Sequence, residues 1–230
     1  MHRRGYTVPQ VRTAEIEFVL CEMNSKLDSD WIRALARLQS TFKRIAHFGC
    51  SSGAETLALM EKFGADMVYG IDRDVNKAEQ EKHELKDWIS ESQMALDLAS
   101  TPVQMWWQAS VPRFFKEKRY PEYVEEPDIA QPRLPYQVPS SCFDLSCCSH
   151  LLYQILEYQG AHAVLNAIKE MKRVTVADGW VVADEPDDGQ RGRLVAFFEQ
   201  AGLKTVKIDS VEFRDGIFST TYFFRNVDLK

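Results

Sequence analysis

Apolar positions along this chain alternate between short unbroken runs and helical spacing, and the alternation starts early. Between Thr13 and Phe42 two helical patterns follow one another, the first marked by Ile16, Val19, Leu20 and Met23 and the second by Trp31, Leu35, Leu38 and Phe42. Asp28, Ser29 and Asp30 supply capping oxygens between them. An apolar run at 45–48 then leads through a Gly-Ser loop at 49–53 into a helical pattern of Leu57, Met60 and Phe63. A second apolar run at 67–71 ends on Asp72. This order predicts strand, tight turn, helix, strand. Residues 74–98 read as one long helix with Val75, Ala78, Leu85, Ile89 and Leu96 inward and the charged run 79–87 as its solvated face.

A third strand is predicted at 103–108, bounded by Pro102 and Pro112. From 112 to 141 the chain changes character, with six prolines (Pro112, Pro121, Pro127, Pro132, Pro135, Pro139) and three tyrosines (Tyr120, Tyr123, Tyr136), and it reads as one long irregular connection. Such a segment is either a cap over a pocket or a surface insertion, and its aromatic content favours the cap. A fourth strand follows at 143–148. A helix at 161–174 carries Val164, Leu165, Ile168 and Met171 on one face, and Ala177-Asp178-Gly179 is read as its terminating turn before a fifth strand at 180–183. Leu194, Phe197, Phe198 and Ala201 mark a further helix, Gly202 its end, and Val206 and Ile208 a sixth strand. Asp215-Gly216 between two strand-like runs is a hairpin signal, so the last strand should run antiparallel to its neighbour.

Composition narrows the class without naming it. The 230 residues are 45% hydrophobic and 27% charged, with a net charge of -6, which gives no global attraction for nucleic acid or an anionic membrane. No apolar run approaches the roughly 20 residues that cross a bilayer. The five cysteines form no CxxC pair and are odd in number, as suits a reducing compartment, so a cytoplasmic protein with neither a disulfide framework nor a metal site is expected.

The chemistry concentrates in GCSSGAET, residues 49–56, and YGIDRD, residues 69–74. Gly49 and Gly53 let the loop turn sharply, the helix start offers unpaired N–H groups, and Asp72 stands about 20 residues on, where nucleotide-binding units place an acid on ribose. A Walker loop would need Lys and Ser or Thr after Gly53, where Ala54-Glu55-Thr56 stand. The dinucleotide pattern G-x-G-x-x-G also fails, at Ser51.

These two stretches resemble the cofactor loop and acidic strand end of class I methyltransferases that use S-adenosylmethionine (SAM). The resemblance implies an α/β fold: a seven-stranded, mostly parallel sheet with helices on both faces and a C-terminal antiparallel hairpin strand. Residues 44–230 would be the SAM-binding domain, with the insertion at 112–141, and residues 1–43 helices that either close over the site, with Tyr6 and Arg12, or only cover the sheet. Gly49, Cys50, Ser51 and Gly53 would face the methionine part of SAM, Asp72 would hold the ribose, Arg73 beside it would also bind the cofactor, and Cys148 would lie in the region of the methyl-bearing sulfur. Where the family has an acid for the adenine amino group, Gln108, Ala109 and Ser110 are expected instead. Ala46, His47 and Cys50 also depart from the family's loop.

FDLSCCSHLLYQI resembles the family's fourth-strand segment and puts His150 forward as a base, since a neutral imidazole can take a proton from a hydroxyl or amine near neutral pH. Tyr120, Tyr123, Tyr136 and Tyr153 are candidate substrate contacts, and Glu185 either faces the substrate or caps a loop. The Asn/Asp-Pro-Pro-aromatic tetrapeptide of amino-methylating nucleic-acid enzymes is absent, which disfavours nucleic acid as the acceptor. The expectation is methyl transfer from SAM to a small-molecule O or N nucleophile. A non-catalytic methyltransferase-like binding protein and a NAD(P)-dependent reductase are the alternatives, and the missing third Gly and the missing Tyr-x-x-x-Lys pair count against the reductase.

Overall fold

In the computed structural model the described residues are 21, 23–27, 29–96, 113, 117, 119–126, 129–131, 137–187, 191–214 and 217–227. Among them seven strands, β1 (Arg44–Phe48), β2 (Met67–Asp72), β3 (Glu122–Glu125), β4 (Phe143–Ser149), β5 (Thr175–Asp187), β6 (Lys204–Arg214) and β7 (Ile217–Arg225), form one sheet in the order β3-β2-β1-β4-β5-β7-β6. The first five are mutually parallel, and β7 is antiparallel to both β5 and β6. This is the mostly parallel sheet with a terminal antiparallel hairpin that the apolar pattern and the resemblance predicted. Asp215 and Gly216 themselves lie outside the described residues.

Side-chain alternation along the strands divides the core into two layers. Ile45 faces α1 (Asp30–Leu38) and α2 (Ala54–Phe63), in a layer that includes Trp31, Ile32, Leu35, Leu57 and Phe63. Phe42 meets Phe63 edge-on, with ring centroids 5.0 Å apart. Leu85 of α3 (Asn76–Leu96) joins the same layer, with Ala78 also buried. Ala46 and Phe48 face the other layer, formed by α4 (Leu152–Gln159), α5 (Ala161–Val174) and α6 (Arg191–Gln200). Phe198 of α6 stacks on Phe224 at 4.0 Å.

Three parts of the sequence reading are corrected. The sheet position beside β2 is held by β3, inside the segment expected to be irregular, with Gly70 opposite Tyr123 and Asp72 opposite Glu125. The strand is only four residues long and flanked by proline, so its composition hid it. The strand expected at 103–108 lies outside the described residues. Leu152–Gln159 is a helix that the reading did not assign. Ala177-Asp178-Gly179 does not end α5, which stops at Val174. It loops out of β5 as a bulge between the pairs Phe143↔Thr175 and Leu145↔Trp180. Asn226 fills that bulge, its side-chain amide donating to the carbonyls of Thr175 (2.8 Å) and Val176 (3.1 Å).

Because β1, β2, β3 and β4 are parallel, their carboxyl ends lie along one edge. Chain order runs outward from β1 to β2 and β3 on one side and resumes at β4 on the other. A crevice opens where the order reverses, the usual place for a ligand in such sheets.

Candidate functional site

The loop after β1 is shaped by backbone that leaves the extended region. Gly49, Ser51 and Gly53 have φ of 72°, 48° and 86°. The Gly49 N–H donates to the carbonyl of Ile71 at 2.7 Å, tying the loop to the end of β2. Asp72 completes the tie, accepting from the Ser51 N–H on Oδ2 (2.8 Å) and from the Arg73 N–H on Oδ1 (2.7 Å).

A cavity of about 850 Å³ opens beside this loop. It is lined by Gly49 and Ser51 of the loop, by Asp72 at the end of β2 with Arg73, Asp74 and Lys77 beyond it, and by Ser149 at the end of β4 with His150 and Leu151. Gln154, Ile155 and Tyr158 of α4, and Glu126 and Ile129 just past β3, also line it. Glu126 is buried, and its N–H donates to the Asp72 carbonyl at 2.7 Å, which carries the β2–β3 pairing one residue further. Sequence reasoning passed over Glu126. Its signal was Tyr-Val-Glu-Glu-Pro, a strand end with acids, inside a proline-rich stretch.

Of the residues singled out in the sequence, Gly49, Ser51, Asp72, Arg73 and His150 line the cavity together. Others stand behind it. A Cβ on Gly53 would lie 2.3 Å from the Tyr123 hydroxyl, and one on Gly70 would lie 2.5 Å from the Tyr123 ring. The space beside Gly53 therefore holds Tyr123, which braces the loop from behind with Lys82 Nζ 5.1 Å from its ring centroid. Tyr120 packs against the α1–α2 layer, under Lys86. Cys50 is buried, and burial together with the Asp72 charge pushes its thiol up to about 12. Burial likewise raises Cys148, whose Sγ lies 3.8 Å from Glu185. Tyr136, Gln108, Ala109 and Ser110 lie outside the described residues.

Glu185 is buried at the end of β5 and serves α4. Its Oε1 accepts from the Leu152 N–H (2.8 Å) and its Oε2 from the Tyr153 N–H (3.2 Å), satisfying a helix start whose own N-cap, Leu151, makes no side-chain bond. Burial pushes its carboxyl up to about 8 against the pull of those two donors. Of the two roles left open by the sequence, the geometry is that of a cap.

Beneath the loop, His47 is fully buried with Nδ1 2.8 Å from Thr56 Oγ1 and Nε2 3.3 Å from Glu55 Oε2. Glu55 also accepts from Trp31 Nε1 at 3.0 Å. Burial alone would raise Glu55, but His47, Lys26 and Trp31 hold it below the ordinary carboxylate value. This group links β1, α1 and α2. His150 is different: it is exposed at the cavity wall, with φ of 55° and its N–H on the Asp184 carbonyl at 2.8 Å.

No protein-family model matches the sequence, and no curated protein matches it. The architecture is nevertheless that of class I SAM-dependent methyltransferases, in strand order and in the terminal hairpin. The N-methyltransferase NodS from Bradyrhizobium japonicum WM9, in complex with S-adenosyl-L-homocysteine, aligns over 91% of this chain and 99% of its own, with a TM-score of 0.55 and 15% identity. A SAM-dependent methyltransferase from Aquifex aeolicus aligns over 93% and 98%, at 0.58 and 14%. The [4+2]-cyclase SpnF aligns over 98% and 99%, at 0.55 and 14%. At these identities the likeness is one of fold.

Proposed function

We propose that this protein is a SAM-dependent methyltransferase acting on a small-molecule O or N nucleophile. One observation carries the reading: the 850 Å³ cavity at the carboxyl ends of the strands is lined by Gly49 and Ser51 of the loop, Asp72, Glu126 and His150 together. The residues fit the cofactor. Asp72 accepts backbone N–H groups from Arg73 and, at 3.4 Å, Asp74 on Oδ1 and from Ser51 alone on Oδ2, so of about four lone-pair sites Oδ2 keeps one for a ribose hydroxyl. Glu126, buried and on the cavity lining, would accept from the adenine amino group, the role that the sequence left to Gln108, Ala109 and Ser110. Gly49 and Ser51 would border the methionine part.

SAM, when bound, would supply a methyl group already activated on a sulfonium. The chain's own work is then alignment and the exclusion of water. His150, on the wall after β4, would take the proton from an acceptor hydroxyl or amine. A small acceptor is supported by the size of the cavity and by the chain's net charge of -6, which does not favour a polyanion. A cytoplasmic setting belongs to the same reading, supported by five unpaired cysteines. Among the described residues no helix is long and apolar enough to cross a membrane.

Calorimetric titration of SAM, S-adenosylhomocysteine and NADH tests the assignment. Binding of the first two without the third is the expected result, and binding of NADH alone would replace the methyltransferase with a reductase. The cyclase of the same fold supports a second reading, a protein that uses the fold without transferring methyl. SAM binding with no methylated product from any amine or hydroxyl acceptor would favour it.

A further inference from the structure

We propose that this protein dimerises through β6, a second copy of the chain laying its own β6 antiparallel against it across a two-fold axis at Ile208. The two edges of the sheet differ. At one, β3 is four residues long and lies between Pro121 and Pro127, so it offers little backbone to another strand. At the other, β6 runs for eleven residues without a proline, well beyond the common strand length of about 5–6 residues, and has β7 on one side only. Among the described residues four large hydrophobic side chains stand exposed, and two of them, Val206 (47%) and Ile208 (43%), are on this strand. A long edge with apolar residues is a template for another strand.

Sheet edges are commonly guarded by charge and by bulges, and β6 carries both. Its register with β7 shifts between Thr205 and Lys207 and again between Glu212 and Arg214, which leaves 207–212 as the regular run. Lys207 and Asp209 lie in that run two residues apart, on one face of the strand and ion-paired with each other. Charges of one sign would repel a second copy. This pair alternates in sign, and a second copy in one particular register answers it.

Two identical strands paired antiparallel have their two-fold axis normal to the sheet. Residues directly opposite share a face, and faces alternate along a strand, so the axis passes through a residue and not between two. Centred on Lys207 or on Asp209, it would set like charges against each other. Centred on Ser210, it would leave both without an opposite charge. Centred on Ile208, it sets Lys207 against the partner's Asp209 and Asp209 against the partner's Lys207, and it brings the two exposed Ile208 side chains together on the other face. Each lysine then has one carboxylate beside it and another across from it. The shift at Val206 ends the ladder soon after Lys207, so the dimer is a weak, concentration-dependent one.

Sedimentation equilibrium of the full chain, from micromolar to submillimolar concentration, should show a monomer–dimer equilibrium, and a monomer throughout overturns the proposal. Asp209→Lys sets lysines against each other across the axis and should abolish the dimer. The exchanged variant, Lys207→Asp with Asp209→Lys, restores the alternation and should restore the dimer. A dimer undiminished in Asp209→Lys, or an exchanged variant that keeps its far-ultraviolet spectrum and stays monomeric, overturns the proposal. Should Asp209→Lys fail to fold, Ile208→Lys, a change at an exposed position, sets two like charges against each other on the axis itself. It should leave a monomer, and a dimer kept in Ile208→Lys overturns the proposal.

Discussion

Asp72 holds the loop and, in the proposed function, the ribose, so its two roles can be separated by measurement. Asp72→Ala should weaken SAM binding by about 1.5 to 3 kcal/mol, the range for hydrogen bonds to a charged group. An unchanged calorimetric dissociation constant would take Asp72 out of the site. Gly53 offers a second residue-scale test, because a Cβ there would meet the Tyr123 hydroxyl and sit at φ 86°. Gly53→Ala should lower stability by about 1 to 3 kcal/mol in urea unfolding. The loss should shrink in a Tyr123→Phe background, and equal losses in both would mean that Tyr123 does not press on the loop. Glu185 gives a pH prediction with a definite sign. Its folded value of about 8 lies above the ordinary 4.5, so between those values the folded chain binds the extra proton and stability falls as pH rises. Unfolding curves of Glu185→Gln and the parent should diverge through that window, the parent losing more. A constant gap from pH 4.5 to 8 would contradict the raised carboxyl.

At the scale of elements, β3 changes what the proline-rich segment is for. A cap over the acceptor could be trimmed with the sheet left whole, but residues 122–138 include an edge strand, the brace Tyr123, the cavity acid Glu126 and the core residues Ala130 and Val138. Replacing 122–138 by a short linker should therefore lower the melting temperature and abolish SAM binding. Thermal shift and calorimetry on the shortened chain check both, and an unshifted melting temperature would show that β3 contributes nothing to the sheet. Helix α4 depends on another element in the same way, since the donors at its start are met by Glu185 from β5.

Across the whole molecule, the reversal of strand order between β1 and β4 gathers loop, acids and His150 at one edge. If the acceptor is a hydroxyl, His150→Ala should lower turnover by about 100-fold with SAM affinity nearly unchanged, since general-base catalysis is typically worth two to four powers of ten. Retained turnover would make His150 structural and point to an amine aligned by shape. Trp31, Ile32 and Leu35 anchor α1 on the sheet, and Met23, ahead of it in the chain, is buried in the same layer.

The apolar runs at 45–48, 67–71 and 143–148 and the helical spacing of Leu57, Met60 and Phe63 were enough to set the central βαβ unit, because burial on both faces of a parallel strand writes itself as an unbroken run. Asp72 at a strand end and the Asp-Gly hairpin were legible for the same local reason. What escaped the sequence is what depends on a partner distant in the chain. Glu122–Glu125 is a strand only because β2 offers it an open edge, and Tyr123 is a brace only because Gly53 and Gly70 leave room for its ring. Glu185 became a helix cap, and Asp184 a neighbour of His150, through the pairing of β5 with β4 and β7. No periodicity records such a contact, since each residue's role is fixed by a side chain or backbone group that the sheet, once formed, brings beside it.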